Sequence, residues 1–373
     1  MPSLFSKTIK VTSSLFFLGV LTTQATTTQE DANAASTTDL KENVRPKQRC
    51  PYLAASIITT AYEKGQLAGI VLVERGRTPE GYALPGGFIR LNETAEKCAK
   101  RTLLDECGIL AVSNLDQFKV YSAPRRDPRY HVVDTVFTAR VDDIKLYAGT
   151  DAKHAFICPI DKIPWDKMTF DHREILKDFL QFKITQNDAI AKTEKNAVTP
   201  RALTEREQRD RKELEYKVEP LFLAASVIVE VYEKGIFKGV VLIERGKAPF
   251  GLAIPGGHVE YGESVAEAAK REMQEECHLN IKDLRQFKVY SDPVRDPRKR
   301  MIDVIHIARV DDIKPVGDSD AAKATIYPLD KLPMDKMAFD HKQILQDYLD
   351  YRNGKLTNTL IQCAHNPNIE AQK

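Results

Sequence analysis

Hydrophobic residues recur along this chain in two matching series of short runs. Aliphatic and β-branched residues fill positions 69–73 and again positions 239–243, which is typical of buried strands. In each series a Gly-Gly turn follows, then an apolar pattern at helical spacing, and a second helical pattern closes the series. This order of elements predicts a mixed α/β domain that occurs twice.

Direct repeats fix the register of the two copies. LAAS begins at Leu53 and again at Leu223, 170 residues later, and QFKVYS begins at Gln117 and again at Gln286, 169 residues later. A period this long indicates duplication of a whole domain, because solenoid repeats are much shorter. We therefore expect two tandem domains that could pack as an internal pseudo-dimer, or as a homodimer of chains.

The segments around the two copies have a different composition. Residues 1–26 carry Lys7 and Lys10 before a short apolar run, which predicts a signal peptide and a secreted or periplasmic protein. The alternative is a cytoplasmic protein, and in either case the run is too short for a stable membrane span. The expected organisation is a leader at 1–26, a disordered tether at 27–48, domain 1 at 49–184, a charged and partly helical linker at 185–218, domain 2 at 219–353 and a tail at 354–373.

Charge and cysteine content narrow the function classes. The 55 basic and 53 acidic residues give a net charge of +2, so no global field favours a nucleic acid. None of the six cysteines lies in a CxxC pair that could begin a zinc site. Cys50 and Cys363 could pair in an oxidising compartment.

A cluster of glutamates marks the first helix of domain 2. Ser264 and Glu267 form a capping box that predicts the start of this helix. Glu272, Glu275 and Glu276 follow at i, i+3 and i+4, so we expect their carboxylates on one face.

Crowded carboxylates repel one another unless a cation lies among them, and hard oxygen ligands suit Mg²⁺ or Mn²⁺. The turn at Gly256 and Gly257 lets backbone carbonyls approach the same metal. Arg271 could orient a glutamate through a charge-assisted hydrogen bond. The sequence therefore predicts a metal site that takes phosphates as further ligands.

The spacing of these residues resembles the box of the Nudix hydrolase family. Gly257, Glu263, Arg271 and the helical glutamates stand at the family's positions, and His278 replaces its last glycine. The resemblance implies an α/β/α sandwich that hydrolyses a nucleoside diphosphate linked to another moiety. It also implies a site whose metal ligands are Glu272, Glu275, Glu276 and the carbonyl of Gly256, with catalysis by those glutamates and Arg271, and with Gly257 beside the substrate.

Domain 1 matches the same box less well. Thr102 replaces the first helical glutamate and Asp105 shortens the second. A threonine supplies no carboxylate, so we expect domain 1 to be a structural, regulatory or ligand-binding copy.

Other segments suggest the substrate. Arg295 and Arg298, in a Tyr-Ser-x-Pro-x-Arg-Asp-Pro-Arg run, could clamp phosphates, although a proline-fixed turn with solvated arginines explains them as well. With the PGGHVEYGE and PLDKLP runs, they resemble the ADP-ribose pyrophosphatase branch, which implies cleavage of ADP-ribose to AMP and ribose 5-phosphate. Lys323 stands where that branch often has a catalytic-loop glutamate, so Asp318 and Asp320 are the candidate substitutes. The alternative is a nucleotide-binding sensor without turnover.

Overall fold

The computed structural model describes residues 50–146, 152–187, 221–311 and 321–356. The predicted leader, the tether, most of the linker and the tail, along with Cys363, Asp318 and Asp320, lie outside the described residues. No helix within the described ranges is long and apolar enough to cross a membrane.

Within the described residues, each domain contains seven strands, two α-helices and two short 3-10 helices in the same order. Domain 1 comprises β1 (Tyr52–Glu63), β2 (Gln66–Arg75), β3 (Tyr82–Ala83), β4 (Gly86–Phe88), α1 (Ala95–Cys107), β5 (Ser113–Tyr121), β6 (Val132–Asp142), β7 (Ala152–Cys158) and α2 (His172–Asn187). Domain 2 comprises β8 (Phe222–Glu233), β9 (Ile236–Arg245), β10 (Leu252–Ala253), β11 (Gly256–His258), α3 (Val265–Cys277), β12 (Arg285–Tyr290), β13 (Met301–Asp311), β14 (Ala321–Tyr327) and α4 (His341–Arg352).

The sheet of each domain is mixed. Its central path runs β3-β2-β1-β6-β5 in domain 1 and β10-β9-β8-β13-β12 in domain 2. The long strands β1 and β6 pair in parallel, as do β8 and β13, and the other pairs are antiparallel. The predicted α/β class with mixed sheets is therefore confirmed.

Helices cover both faces of each sheet. On β1, Ile57 packs in the cluster that contains Leu103 of α1, and its neighbour Ile58 packs in the cluster that contains Phe179 of α2. Consecutive strand residues point to opposite faces, so this alternation puts α1 and α2 on opposite sides of the sheet. The α1 side of domain 1 and the α3 side of domain 2 belong to one hydrophobic cluster.

Helix α3 begins and ends as its sequence indicates, with one adjustment. Both hydrogen bonds of the capping box between Ser264 and Glu267 are present. At the C-terminus His278 has a φ of 53°, in the left-handed region, where domain 1 has Gly108 with a φ of 72°. A non-glycine residue there costs about 1–2 kcal/mol, which explains why the family favours glycine.

One buried histidine of domain 2 has no counterpart in domain 1. His306 on β13 is 1% exposed, and neither ring nitrogen makes a hydrogen bond of regular geometry to a residue that the structure describes, although the backbone of Ser226 and of Val304 lies near the ring. Burial lowers its pKa from 6.5 to about 4. Domain 1 has Phe137 at the matching position of β6, paired with Ile57 as His306 is paired with Val227.

The His306→Phe variant is therefore expected to be more stable than the wild type, by about 1–3 kcal/mol at neutral pH, because the lone polar ring is removed. The stability difference between variant and wild type should increase as pH falls from 6.5 towards about 4. In this range His306 of the wild type is protonated in the unfolded chain but stays neutral in the folded protein, which favours unfolding. Urea unfolding at pH 7 and pH 5 measures both effects. Equal pH dependence in the two proteins would contradict this account.

Candidate functional site

The Gly-Gly turn of domain 2 is hydrogen-bonded to the central sheet, next to the glutamate helix. Gly256 and Gly257 form β11, which pairs with β8 at Ser226 and Ala225. A Cβ on Gly256 would lie 2.5 Å from the Ala225 carbonyl oxygen, and the residue has a φ of 153°. Only glycine therefore allows this close approach of backbone to backbone.

The second glycine makes room for a carboxylate. A Cβ on Gly257 would lie 2.3 Å from the Cδ of Glu272, so the carboxyl group occupies the space that a side chain would fill. The Glu272 side chain is 12% exposed. The Glu272 carboxylate is thus held directly against the backbone of Gly257.

The three helical glutamates accept hydrogen bonds from the Arg271 side chain and from the Gly256 backbone. Arg271 Nη1 donates to Glu272 at 2.7 Å and to Glu275 at 3.2 Å, and the backbone N–H of Gly256 donates to Glu276 at 2.9 Å. No group of three or more His, Cys, Asp or Glu side chains is positioned to hold a metal ion within the described part of the chain. Glu272 and Glu275 thus converge on Arg271, Glu276 turns to the Gly256 backbone, and the shared metal site stays a prediction.

Arg271 also orders the loop before the helix. Its Nη2 donates to Glu263 at 2.7 Å and to the His258 carbonyl at 2.8 Å. Glu263 in turn accepts from the backbone N–H of Glu260 at 2.7 Å. Through these contacts Arg271 ties the loop to α3, and its predicted part in catalysis stays a prediction.

The donor set suits a hard divalent cation. Three carboxylates and nearby backbone carbonyls are oxygen ligands of the kind that Mg²⁺ and Mn²⁺ prefer. Burial raises the pKa of the Glu272 carboxyl, and the hydrogen bond and charge of Arg271 oppose that shift without overcoming it. Burial therefore disfavours the charged form of Glu272, whereas a bound cation would favour it.

We expect the Gly257→Ala protein to fold. Its rate in the pyrophosphate hydrolysis that the resemblance implies should fall by at least about tenfold, because the new methyl group displaces the Glu272 carboxylate. The backbone at Gly257 lies outside the left-handed region, so alanine causes no backbone strain there. The matched control is Gly87→Ala in domain 1, where the nearest atom is the Thr102 methyl at 3.0 Å. Initial rates and circular dichroism of both variants check this, and equal rates would contradict it.

The corresponding position of domain 1 has no carboxylate. Thr102 is buried, and its hydroxyl donates to the carbonyls of Cys98 and Ala99 in its own helix at 3.1 Å. Glu106 still accepts from the backbone N–H of Gly86 at 3.1 Å. Domain 1 therefore keeps the frame of the site without its most enclosed carboxylate.

Domain 1 nevertheless keeps an open cleft at this place. The cavity has a volume of about 880 Å³, and its walls include both acidic and basic side chains. Among the lining residues are Phe88, Thr102, Arg126 and Arg129. The cleft is large enough for a small ligand.

The two arginines predicted to bind substrate have different environments. The Arg295 side chain is 4% exposed and bonds to Asp303 at 3.3 Å and Asp340 at 2.7 Å, so it is committed to a buried ion-pair network. The structure therefore shows a structural contact for Arg295, and the phosphate clamp stays a prediction. Arg298 pairs with Asp296 at 2.8 Å, but its side chain is 42% exposed, so its substrate role stays a prediction.

Sequence reasoning missed a pair beside the Gly-Gly turn. Lys299 Nζ lies 2.6 Å from His258 Nε2 and 4.0 Å from the ring centroid of Phe222. In domain 1 the three equivalent residues are aromatic, and Tyr52 lies against Phe88 and Tyr130. The difference between GGH and GGF in the two repeats was the signal that could have revealed it.

Two further residues, His341 and Lys323, lie on other elements of domain 2 than the glutamate helix. His341 is buried, and its Nδ1 accepts the backbone N–H of Ile254 at 2.9 Å, which is a packing role. Lys323 lies on β14, opposite Glu244 of β9.

Comparisons with known proteins find similar sequences and structures. A family model, the NUDIX domain, matches residues 51–179 and 221–348. The ADP-ribose pyrophosphatase of Methanocaldococcus jannaschii is 40% identical over 137 residues, which cover 36% of this chain and 79% of that protein. A MutT/nudix family protein from Enterococcus faecalis is 27% identical over 38% of this chain and 65% of its own, with a TM-score of 0.33. The NUDIX domain of Shewanella oneidensis NrtR complexed with ADP ribose is 22% identical over 37% of this chain and 93% of its own, with a TM-score of 0.34.

Proposed function

Because this chain belongs to the Nudix family, whose domain model matches both of its repeats, we propose that domain 2 hydrolyses ADP-ribose with Mg²⁺ or Mn²⁺. The family and the 40% identical pyrophosphatase make the chain a Nudix pyrophosphohydrolase that acts on a small nucleotide. The choice of ADP-ribose rests on the printed activity of that relative.

One observation carries the assignment to domain 2. The Glu272 carboxylate fills the space above Gly257, whereas in domain 1 Thr102 turns its hydroxyl into its own helix. Only domain 2 therefore presents three glutamates beside the Gly-Gly turn. Domain 1 is the structural or regulatory copy in this proposal.

The residues of domain 2 divide the work of hydrolysis. Glu272, Glu275, Glu276 and the carbonyl of Gly256 would hold the divalent ion, which neutralises the pyrophosphate and makes bound water more acidic. A carboxylate of the cluster accepts the proton of the attacking water, whose oxygen bonds to one phosphorus while the bridging P–O bond breaks. Arg271 keeps the glutamates and the loop in register. The products are AMP and ribose 5-phosphate.

A second candidate function, binding without turnover, is favoured for domain 1. Its cleft of about 880 Å³ remains although Thr102 has removed the enclosed carboxylate. A copy that retains its cleft after losing a metal ligand fits a nucleotide sensor.

A product assay on the full chain tests the proposal. With ADP-ribose and Mg²⁺ or Mn²⁺ we expect AMP and ribose 5-phosphate, resolved by anion-exchange chromatography, and EDTA should stop their release. NADH, dinucleoside polyphosphates and nucleoside triphosphates serve as comparison substrates. Faster turnover of one of these would overturn the choice of ADP-ribose. Tight ADP-ribose binding without any product would identify the whole chain as a sensor.

A further inference from the structure

The two domains contact each other through mirrored side chains. Gln117 of domain 1 bonds to both the N–H and the carbonyl of Val289, at 2.8 and 3.0 Å. Gln286 of domain 2 makes the same two bonds to Val120, at the same distances. These contacts form the internal pairing of the repeats, whereas the predicted homodimer of chains stays a prediction.

Each box helix also begins against the other domain. The first N–H groups of a helix have no partner within it, and here the N–H of Val265 in α3 donates to Ser122 Oγ at 3.1 Å. The N–H of Ala95 in α1 donates to Ser291 Oγ at 2.9 Å. Thus each domain supplies one hydroxyl to the helix that carries the other domain's site.

The correspondence between the two domains ends at the loops before these helices. Arg300 of domain 2 donates to the carbonyls of Leu91 and Glu93 in domain 1, at 2.7 and 2.6 Å. The matching residue of domain 1 is His131, which is 2% exposed. Its Nδ1 accepts the backbone N–H of Gly262 at 3.1 Å, and its ring meets Tyr261 edge-on at 5.3 Å.

A short series of contacts links His131 to the glutamate cluster. Gly262 directly precedes Glu263, which bonds to Arg271 at 2.7 Å. Arg271 in turn bonds to Glu272 and Glu275. A movement of the loop at Gly262 therefore displaces the arginine that sets the direction of two proposed metal ligands.

We propose that His131 of domain 1 is a positioning residue for the metal site of domain 2, so that the non-catalytic copy is part of the working site. This inference rests on the proposed function in that it assumes a metal bound by Glu272, Glu275 and Glu276. Ser122 assists by fixing the start of α3. Domain 1 is then required even though it supplies no ligand itself.

Mn²⁺ binding to the full chain, followed by electron paramagnetic resonance, tests the proposal without relying on turnover. His131→Ala is expected to weaken Mn²⁺ binding by about tenfold, as loss of an outer hydrogen bond typically does. His131→Asn should restore most of it, because the asparagine oxygen can accept the N–H of Gly262. Unchanged binding in a folded His131→Ala protein, or no rescue by asparagine, would overturn the proposal.

The two serines provide a matched pair that remains decisive if His131→Ala fails to fold. Ser122→Ala should weaken Mn²⁺ binding, whereas Ser291→Ala, the same deletion at the start of α1, should leave it unchanged. If both serine variants changed Mn²⁺ binding equally, the contacts between the domains would only stabilise the protein in general. That result would overturn the positioning role. The wild type could bind Mn²⁺, and the two serine variants could differ as expected, while no product is released. In that case the proposed function fails while the positioning of the site stands.

Discussion

The Glu272→Thr variant is expected to lose at least about 100-fold in kcat/KM for ADP-ribose, because a metal that has lost a ligand cannot supply several kcal/mol of charge stabilisation. The substitution gives domain 2 the residue that domain 1 has at the same position, Thr102. Threonine is also smaller than glutamate, so the fold around Gly257 has room for it. Steady-state rates over a range of Mg²⁺ concentrations measure the loss.

Thr102→Val in domain 1 is the matched control. It removes a hydroxyl that bonds only within α1, so the rate should change little. If Glu272→Thr kept the wild-type rate while Thr102→Val abolished it, catalysis would belong to domain 1. If neither changed the rate, the glutamate cluster would have no role in turnover.

Arg295→Met is expected to lower the free energy of unfolding of domain 2 by about 3–5 kcal/mol, because it leaves two carboxylates without their shared cation. Asp303 is 2% exposed and accepts from Ser226 as well as from Arg295, so it has little access to water. Urea unfolding, followed by tyrosine and tryptophan fluorescence and circular dichroism, measures the change.

Arg298→Met separates the structural from the substrate-binding interpretation of this segment. Its ion pair with Asp296 is partly exposed, so the substitution should cost at most about 1 kcal/mol of stability. A rise in KM with unchanged stability would support the predicted contact of Arg298 with substrate. A stable Arg295→Met protein with a raised KM would restore Arg295 to the phosphate clamp and contradict the ion-pair account.

Local patterns explain why the helix and its loop could be predicted well. The capping box at Ser264 and the buried stripe of α3 depend on residues three or four positions apart, and both are present. The pairing of Arg271 with Glu263 also spans only eight residues. The sequence showed that His278 replaces a glycine. Only the structure showed why glycine is favoured there, since this residue has a left-handed φ.

Contacts between distant residues escaped the sequence. Arg295 and Asp340 lie 45 positions apart, and nothing near Arg295 indicated that β13 and the start of α4 would enclose it. The bond between His131 and Gly262 spans 131 positions and two domains. Such partners depend on how strands and helices are stacked, which local spacing does not encode.

The sequence by itself determined two copies of one α/β domain, a complete glutamate cluster in the second and an incomplete one in the first. These features follow from repeats and from helical periodicity, which are properties of the linear chain. Only the tertiary structure decided that Arg295 is enclosed by carboxylates, that Glu272 lies on bare Gly257, and that His131 of domain 1 reaches the loop of domain 2. Burial and charge neutralisation act between groups brought together by packing, so the same arginine or histidine acquires its role from neighbours that are remote in sequence.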